Sequence, residues 1–193
     1  MAQPVRKPAF SAADYLAWEA AQAERHEFVA GEVFAMAGAE DRHVTVAMNL
    51  AFALRGHLDG GPCRTYMSDM RLFVAACQSY FYPDVLVTCS DKDRHSRLVK
   101  TEPALIIEVL SPGTRAYDRG LKLSHYCQLP SLQEYLLIDI DSRCCELHRL
   151  GADGLWVLHT FGKGQAVTLA SVGLSLSAAQ IFAQVPDDSL YFL

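Results

Sequence analysis

Residues 82–89, YPDVLVTC, and residues 103–122, PALIIEVLSPGTRAYDRGLK, decide how this chain is read. Both begin as runs of Val, Leu, Ile and Tyr bounded by turn residues, the pattern of buried β-strands. Each also carries a carboxylate, Asp84 in the first and Glu108 in the second. A carboxylate among apolar neighbours costs several kcal/mol unless it is paired or metal-bound. Two of them, 24 residues apart with a polar segment between, suit two neighbouring strands that share one site. Period-two alternation puts Glu108 on the same face as Ile106 and Leu110.

The rest of the chain supplies a frame for those strands. Upstream, residues 11–25 (SAADYLAWEAAQAER) predict a helix capped by Ser11, with Asp14 in its first turn. HEFVAGEVFAMAG (26–38) predicts a hairpin turning at Ala30-Gly31, with Glu32 facing solvent. Residues 42–58 carry apolar positions at helical spacing and end at Gly60-Gly61-Pro62. His43 begins this helix and His57 nearly ends it, positions where histidine usually caps or faces solvent. Cys63 to Val74 predicts one strand, and DKDRHSRLVK (91–100) a charged, mobile loop. Thr114 is placed to cap a helix running to about Gln128. EYLLIDI, CCELHRL and LWVLHTF predict three further strands, followed by a short strand at 165–169 and a small closing helix at 177–184. This order gives an α/β fold with a central mixed sheet flanked by helices.

Composition narrows the class. The 193 residues, half of them hydrophobic and a fifth charged, read as one globular domain over 1–193, with 1–10 as a poorly ordered tail. A net charge of -5 argues against a nucleic-acid-binding surface spread over the whole molecule. Residues 91–122 carry +2, leaving -7 elsewhere, so such a surface would be local. The six cysteines include no C-x-x-C pair and sit mostly in apolar runs. They read as small buried hydrophobes in a reducing, cytoplasmic setting. No apolar run reaches the ~20 residues of a membrane span.

Metal-assisted phosphodiester hydrolysis needs the residue types found here. Mg²⁺ (or Mn²⁺) takes carboxylate and carbonyl oxygens, and a nearby lysine orients water or stabilises developing charge. Asp84, Glu108 and the Val109 carbonyl make a minimal cradle, with Lys122 as the lysine. Asp84 in YPDV and Glu108 in IIEVL resemble the acidic pair of PD-(D/E)XK nucleases. The wider run RHEFVAGEVFAMAGA, YPDVLVTC, PALIIEVLSPGTRAYDRGLKLSHY and PSLQEYLLID is similar to the Uma-two family of restriction-endonuclease-like proteins, from about Tyr15 to Ile181. The resemblance implies the PD-(D/E)XK core and Mg²⁺-dependent hydrolysis, and it adds Glu27 as a third acid. It also exposes a departure: the position two residues after the second acid holds Leu110 where the superfamily has lysine, which leaves Lys122 as the substitute.

Arg115, Arg119 and Lys122, spaced four and three apart, fit one helical face. With Arg94, Arg97 and Lys100 they would form a phosphate-contacting rim. The plainer alternatives are a turn aspartate after Pro83, a metal-free ion pair of Glu108 with Lys122 or Arg115, and a solvated basic helix face. The expected function is therefore a Mg²⁺-dependent DNA endonuclease, homodimeric if it cuts both strands of pseudo-twofold duplex. Its rivals are a nuclease-fold module that binds without cutting and a hydrolase of a small phosphorylated metabolite.

Overall fold

The computed structural model describes residues 11–36 and 38–187. The expected N-terminal tail (1–10) and the apolar C-terminal SLYFL (189–193) lie outside the described residues. The chain begins with α1 (Ala12–Glu19), closed by a capping box in which Ser11 and Asp14 satisfy each other's backbone. This helix is shorter than the sequence suggests, stopping before Gln22. The hairpin follows as β1 (His26–Val29) and β2 (Glu32–Ala35), with Val29 opposite Glu32. Both turn residues have positive φ, Ala30 at 50° and Gly31 at 90°, the turn whose twist matches the strands. Glu32 is exposed, as expected.

Next come α2 (Asp41–His57), β3 (Arg64–Met67), β4 (Arg71–Val74), β5 (Ser79–Phe81) and β6 (Val85–Thr88). The single strand expected over Cys63–Val74 is thus two. Ser68, with φ of 44°, breaks it, and β3 and β4 enter different sheets. The segment expected to be a mobile loop is also ordered: α3 (Asp91–His95) leads to β7 (Val99–Lys100). Its charged residues are tied down. Asp93 is fully buried and accepts from the Thr101 and Glu102 amides at 2.8 and 2.9 Å. Buried Lys100 donates to the Asp93 carbonyl at 2.7 Å and lies over the Tyr66 ring. Sequence polarity is blind to such internal pairing.

The second half of the chain runs β8 (Pro103–Leu110), α4 (Arg115–Tyr117), a π-helical turn (Asp118–Lys122), α5 (Leu123–Tyr126), β9 (Glu134–Asp139), β10 (Cys144–Leu150) and β11 (Trp156–Phe161). It closes with β12 (Val167–Leu169), β13 (Leu174–Leu176) and α6 (Ala178–Ile181). Thr114 sits at the helix start without a side-chain cap; its own amide instead donates to Ser111 Oγ at 3.3 Å.

The strands form a five-stranded sheet (β2-β1-β5-β4-β7), a six-stranded sheet (β11-β10-β9-β8-β6-β3) and the small β12-β13 ladder. In the six-stranded sheet β8 and β9 are parallel and the other pairs antiparallel, so it is mixed, as expected. Its two faces build two cores. Leu105, Ile107 and Val109 face α2, through Val46, Leu50 and Leu54, and the small ladder. Ile106 and Leu110 face the five-stranded sheet together with Tyr126 and Tyr135. A third cluster packs Tyr15 of α1 on Phe28, Val33 and Tyr80 at the outer side of the five-stranded sheet.

The cysteines depart from expectation. Cys63 and Cys89 form a disulfide across the end of the β3–β6 ladder, and of the free thiols only Cys145 is fully buried. Register brings the pair together across 26 residues, which spacing alone does not signal. No helix among the described residues is long and apolar enough to cross a membrane.

Candidate active site

Strand periodicity aims the acids. On β1, His26 and Phe28 turn towards α1, so Glu27 and Val29 turn towards the six-stranded sheet. On β8, Glu108 shares the inner face of Ile106 and Leu110. Asp84 precedes β6, which pairs with β8, and the two residues interlock. Asp84 Oδ2 accepts from the Val109 amide at 2.8 Å, and Glu108 Oε2 accepts from the Asp84 amide at 3.3 Å. Each carboxylate is thereby held by the other's strand.

Lys122 joins them from the π turn. Its Nζ lies 2.9 Å from Glu108 Oε1, 3.2 Å from Glu27 Oε1 and 3.6 Å from Asp118 Oδ1. The four residues expected to act together, Glu27, Asp84, Glu108 and Lys122, therefore line one cavity of about 590 Å³. Lys122 does not share a face with Arg115 and Arg119. A π turn takes more residues per revolution than the 3.6 of an α-helix, which breaks the spacing argument. Arg119 instead lies on Glu146 (2.8 Å) and Asp139 (3.4 Å), and Arg115 on Asp141 (3.0 Å). Arg94 donates to the Pro62 carbonyl, and exposed Arg97 lies in the same distant segment. None of these four arginines lines the cavity.

Other groups at the site carry no local sequence signal. His43, in the first turn of α2, sets its Nε2 3.2 Å from Asp84 Oδ2 and hydrogen-bonds the Val109 backbone. Burial pulls its pKa down, but Asp84 and Val109 outweigh that and raise it. The helix-end reading of this histidine is corrected: it lines the cavity. Asp118 completes the ion cluster, and the Tyr126 hydroxyl donates to Glu108 Oε1 at 2.9 Å.

Charge is out of balance here. Four carboxylates (Glu27, Asp84, Glu108, Asp118) surround one lysine and one histidine. Burial pushes Glu108 well above the usual carboxylate range, and Asp84 and Asp118 add to this against the pull of Lys122. Burial also works against the Lys122 ammonium, but Glu108, Glu27 and Asp118 hold its pKa well above the ordinary value. An excess of buried acid is costly as structure and is the environment a hard cation relieves. No three His, Cys, Asp or Glu side chains among the described residues form a ready cage. Two carboxylates and a carbonyl completed by water still match the oxygen preference of Mg²⁺.

Comparison with known proteins places this geometry in context. Residues 12–179 match the model of the Uma2 family, described as "Putative restriction endonuclease". An uncharacterized protein of Synechocystis sp., slr1290, is 39% identical over 175 residues, covering 91% of this chain and 92% of the relative. A second, sll1609, is 37% identical over 150 residues, covering 77% of this chain and 85% of the relative. A crystal structure from Anabaena variabilis, described as "a putative nuclease belonging to DUF820", has the same fold. Its TM-score is 0.75 at 16% identity, over 90% of this chain and 98% of that one.

Proposed function

The chain belongs to the Uma2 family, and on that footing we propose that it is a divalent-metal-dependent nuclease that hydrolyses DNA phosphodiester bonds. One observation carries the proposal: Asp84 and Glu108 interlock at one end of a cavity where buried Lys122 meets Glu108 and Glu27. Hydrolysis adds water across one P–O ester bond, leaving a phosphate monoester and a hydroxyl.

Asp84, Glu108 and the Val109 carbonyl would hold Mg²⁺ or Mn²⁺, which supplies charge neutralisation at the phosphate and a more acidic water. Lys122, held charged by its three acids, directs N–H donors at the oxygen on which charge develops or at the attacking water. Glu27 and Asp118 position that ammonium, and the Tyr126 hydroxyl fixes the Glu108 rotamer. The π turn lets one short helix point Lys122 inward while Arg119 braces β9 and β10. This arrangement supplies the lysine missing at Leu110.

Purified protein incubated with plasmid or oligonucleotide DNA and Mg²⁺ or Mn²⁺ should cut. Asp84→Asn, Glu108→Gln and Lys122→Met should each reduce the rate by about 10²-fold or more. Undiminished cutting by both acid variants would remove the site from consideration. A second reading, a nuclease-fold module that binds without cutting, is favoured by His43, which lies on the same Asp84 oxygen and Val109 backbone that a cation would use. Calorimetric titration with Mn²⁺ separates the two: binding lost in Asp84→Asn supports the enzyme, whereas no binding by the parent protein supports the module. If the protein cuts both strands of a duplex, a homodimer is the expected assembly, and analytical ultracentrifugation reads it directly.

A further inference from the structure

The cavity says what kind of strand it admits, an inference that rests on the acid–lysine end being the hydrolytic site. Glu108 and Lys122 are 3% and 7% exposed, so a phosphate must enter the cavity to reach them. Phosphates of a stacked, paired duplex lie on a convex rod and enter such a cavity less readily than those of an unstacked strand. The volume of about 590 Å³ is in the range of small-ligand pockets.

The walls match the rest of a nucleotide. The partly buried rings of Phe34 and Tyr117 line the cavity, Tyr117 with Lys122 Nζ 6.0 Å over its ring, and Met36, Val44, Met67 and Leu121 add apolar surface partly open to solvent. Enzymes that receive an extruded nucleotide hold its base between such side chains. The charge pattern agrees. Lys122 is the single Lys or Arg among the described residues lining the cavity, against Glu27, Glu40, Asp84, Glu108 and Asp118. Of the arginines expected to grip a backbone, Arg94, Arg115 and Arg119 are paired to acids elsewhere, and exposed Arg97 does not line the cavity. The cavity is thus poor at holding a row of phosphates and suited to one.

We propose that this cavity takes one unstacked nucleotide, its base against the Phe34–Met36–Leu121 wall and its phosphate at the Glu108–Lys122 end. The substrate is then single-stranded or locally unpaired nucleic acid, not intact duplex. Unstacking costs a few kcal/mol in a duplex and least in a strand already single.

The test uses the full-length protein with fluorescent oligonucleotides of one sequence: single-stranded DNA, single-stranded RNA, duplex with a one-nucleotide bulge, and fully paired duplex. Cleavage with Mn²⁺ is measured beside binding without metal, read by 2-aminopurine at the central base. Single-stranded and bulged DNA should be cut at least about tenfold faster than duplex. Binding should change the 2-aminopurine emission with a weak salt dependence, near the slope of about -0.7 expected per phosphate on a single strand. Leu121→Asp and Met36→Asp, at exposed positions that do not threaten folding, should weaken single-strand binding about tenfold. Faster cutting of RNA than DNA supports the cavity reading and names the sugar.

Equal cutting of duplex with silent 2-aminopurine overturns this inference and leaves the nuclease standing. Hydrolysis of free nucleotides or bis(p-nitrophenyl) phosphate without oligonucleotide binding overturns it in favour of a metabolite substrate. Emission change without any cleavage supports the cavity while overturning the nuclease.

Discussion

Glu108 carries the conflict between folding and chemistry. Its pKa is raised mainly by burial, so the carboxylate opposes folding at neutral pH and the penalty fades as pH falls and it protonates. Glu108→Gln should therefore flatten the pH dependence of the metal-free protein's stability near neutral pH while reducing cleavage by about 10²-fold or more. Urea denaturation beside an activity assay checks both halves, and a clear loss of stability would mean that Glu108 serves mainly as an ion-pair partner. His125 and His148 give a separate pH signature away from the acid cluster. Burial lowers both below the ordinary 6.5, and neither His125 ring nitrogen has a hydrogen-bond partner. The unfolded chain takes up these protons first, so the stability contributed by His125 and His148 should fall as pH drops below about 6.5, opposite in sign to the contributions of Glu108 and His43. His125→Phe should flatten that slope, measured as urea midpoints between pH 5 and 7.5.

Elements differ in how much of them was legible. The β1–β2 hairpin was readable in full, because a two-residue loop with Gly31 needs only local backbone chemistry. Ala30 is a compromise there: alanine at a φ of 50° costs roughly 1–2 kcal/mol of steric strain. Ala30→Asn should raise stability by about 0.5–1 kcal/mol, read as an increased urea midpoint with unchanged slope. The α4–α5 helix was legible as a helix but not as an interrupted one. Within its π turn, Lys122 meets Glu108 and Glu27, residues from two strands distant in sequence, which no local pattern signals. Segment 91–100 was misread for a related reason: Asp93 and Lys100 look solvated until their backbone partners are in place.

At the scale of the whole molecule, the Cys63–Cys89 disulfide ties the segment after α2 to the start of α3. A loop of 26 residues gives roughly 3–4 kcal/mol of stabilisation in the chain-entropy picture. Reduction with dithiothreitol should lower Tm by several degrees, about 2–4 °C per kcal/mol for a chain of this size. The double variant Cys63→Ala/Cys89→Ala should match the reduced protein and no longer respond to reductant. The disulfide lies at the far end of β6 from Asp84, so cleavage at room temperature should persist in that variant.

The sequence by itself determined the strands around Asp84 and Glu108, the inward direction of Glu108 and the existence of the hairpin. These follow from period-two alternation and turn chemistry, which act over a few residues. The tertiary structure decided the partners. It set Lys122 on Glu27 and Glu108, brought His43 to Asp84, drew Arg115 and Arg119 away to Asp139, Asp141 and Glu146, and joined Cys63 to Cys89. Each of these depends on strand register and helix placement across 14 or more residues. A change of one residue in register turns every side chain of a strand to its other face, so no local pattern could have fixed them.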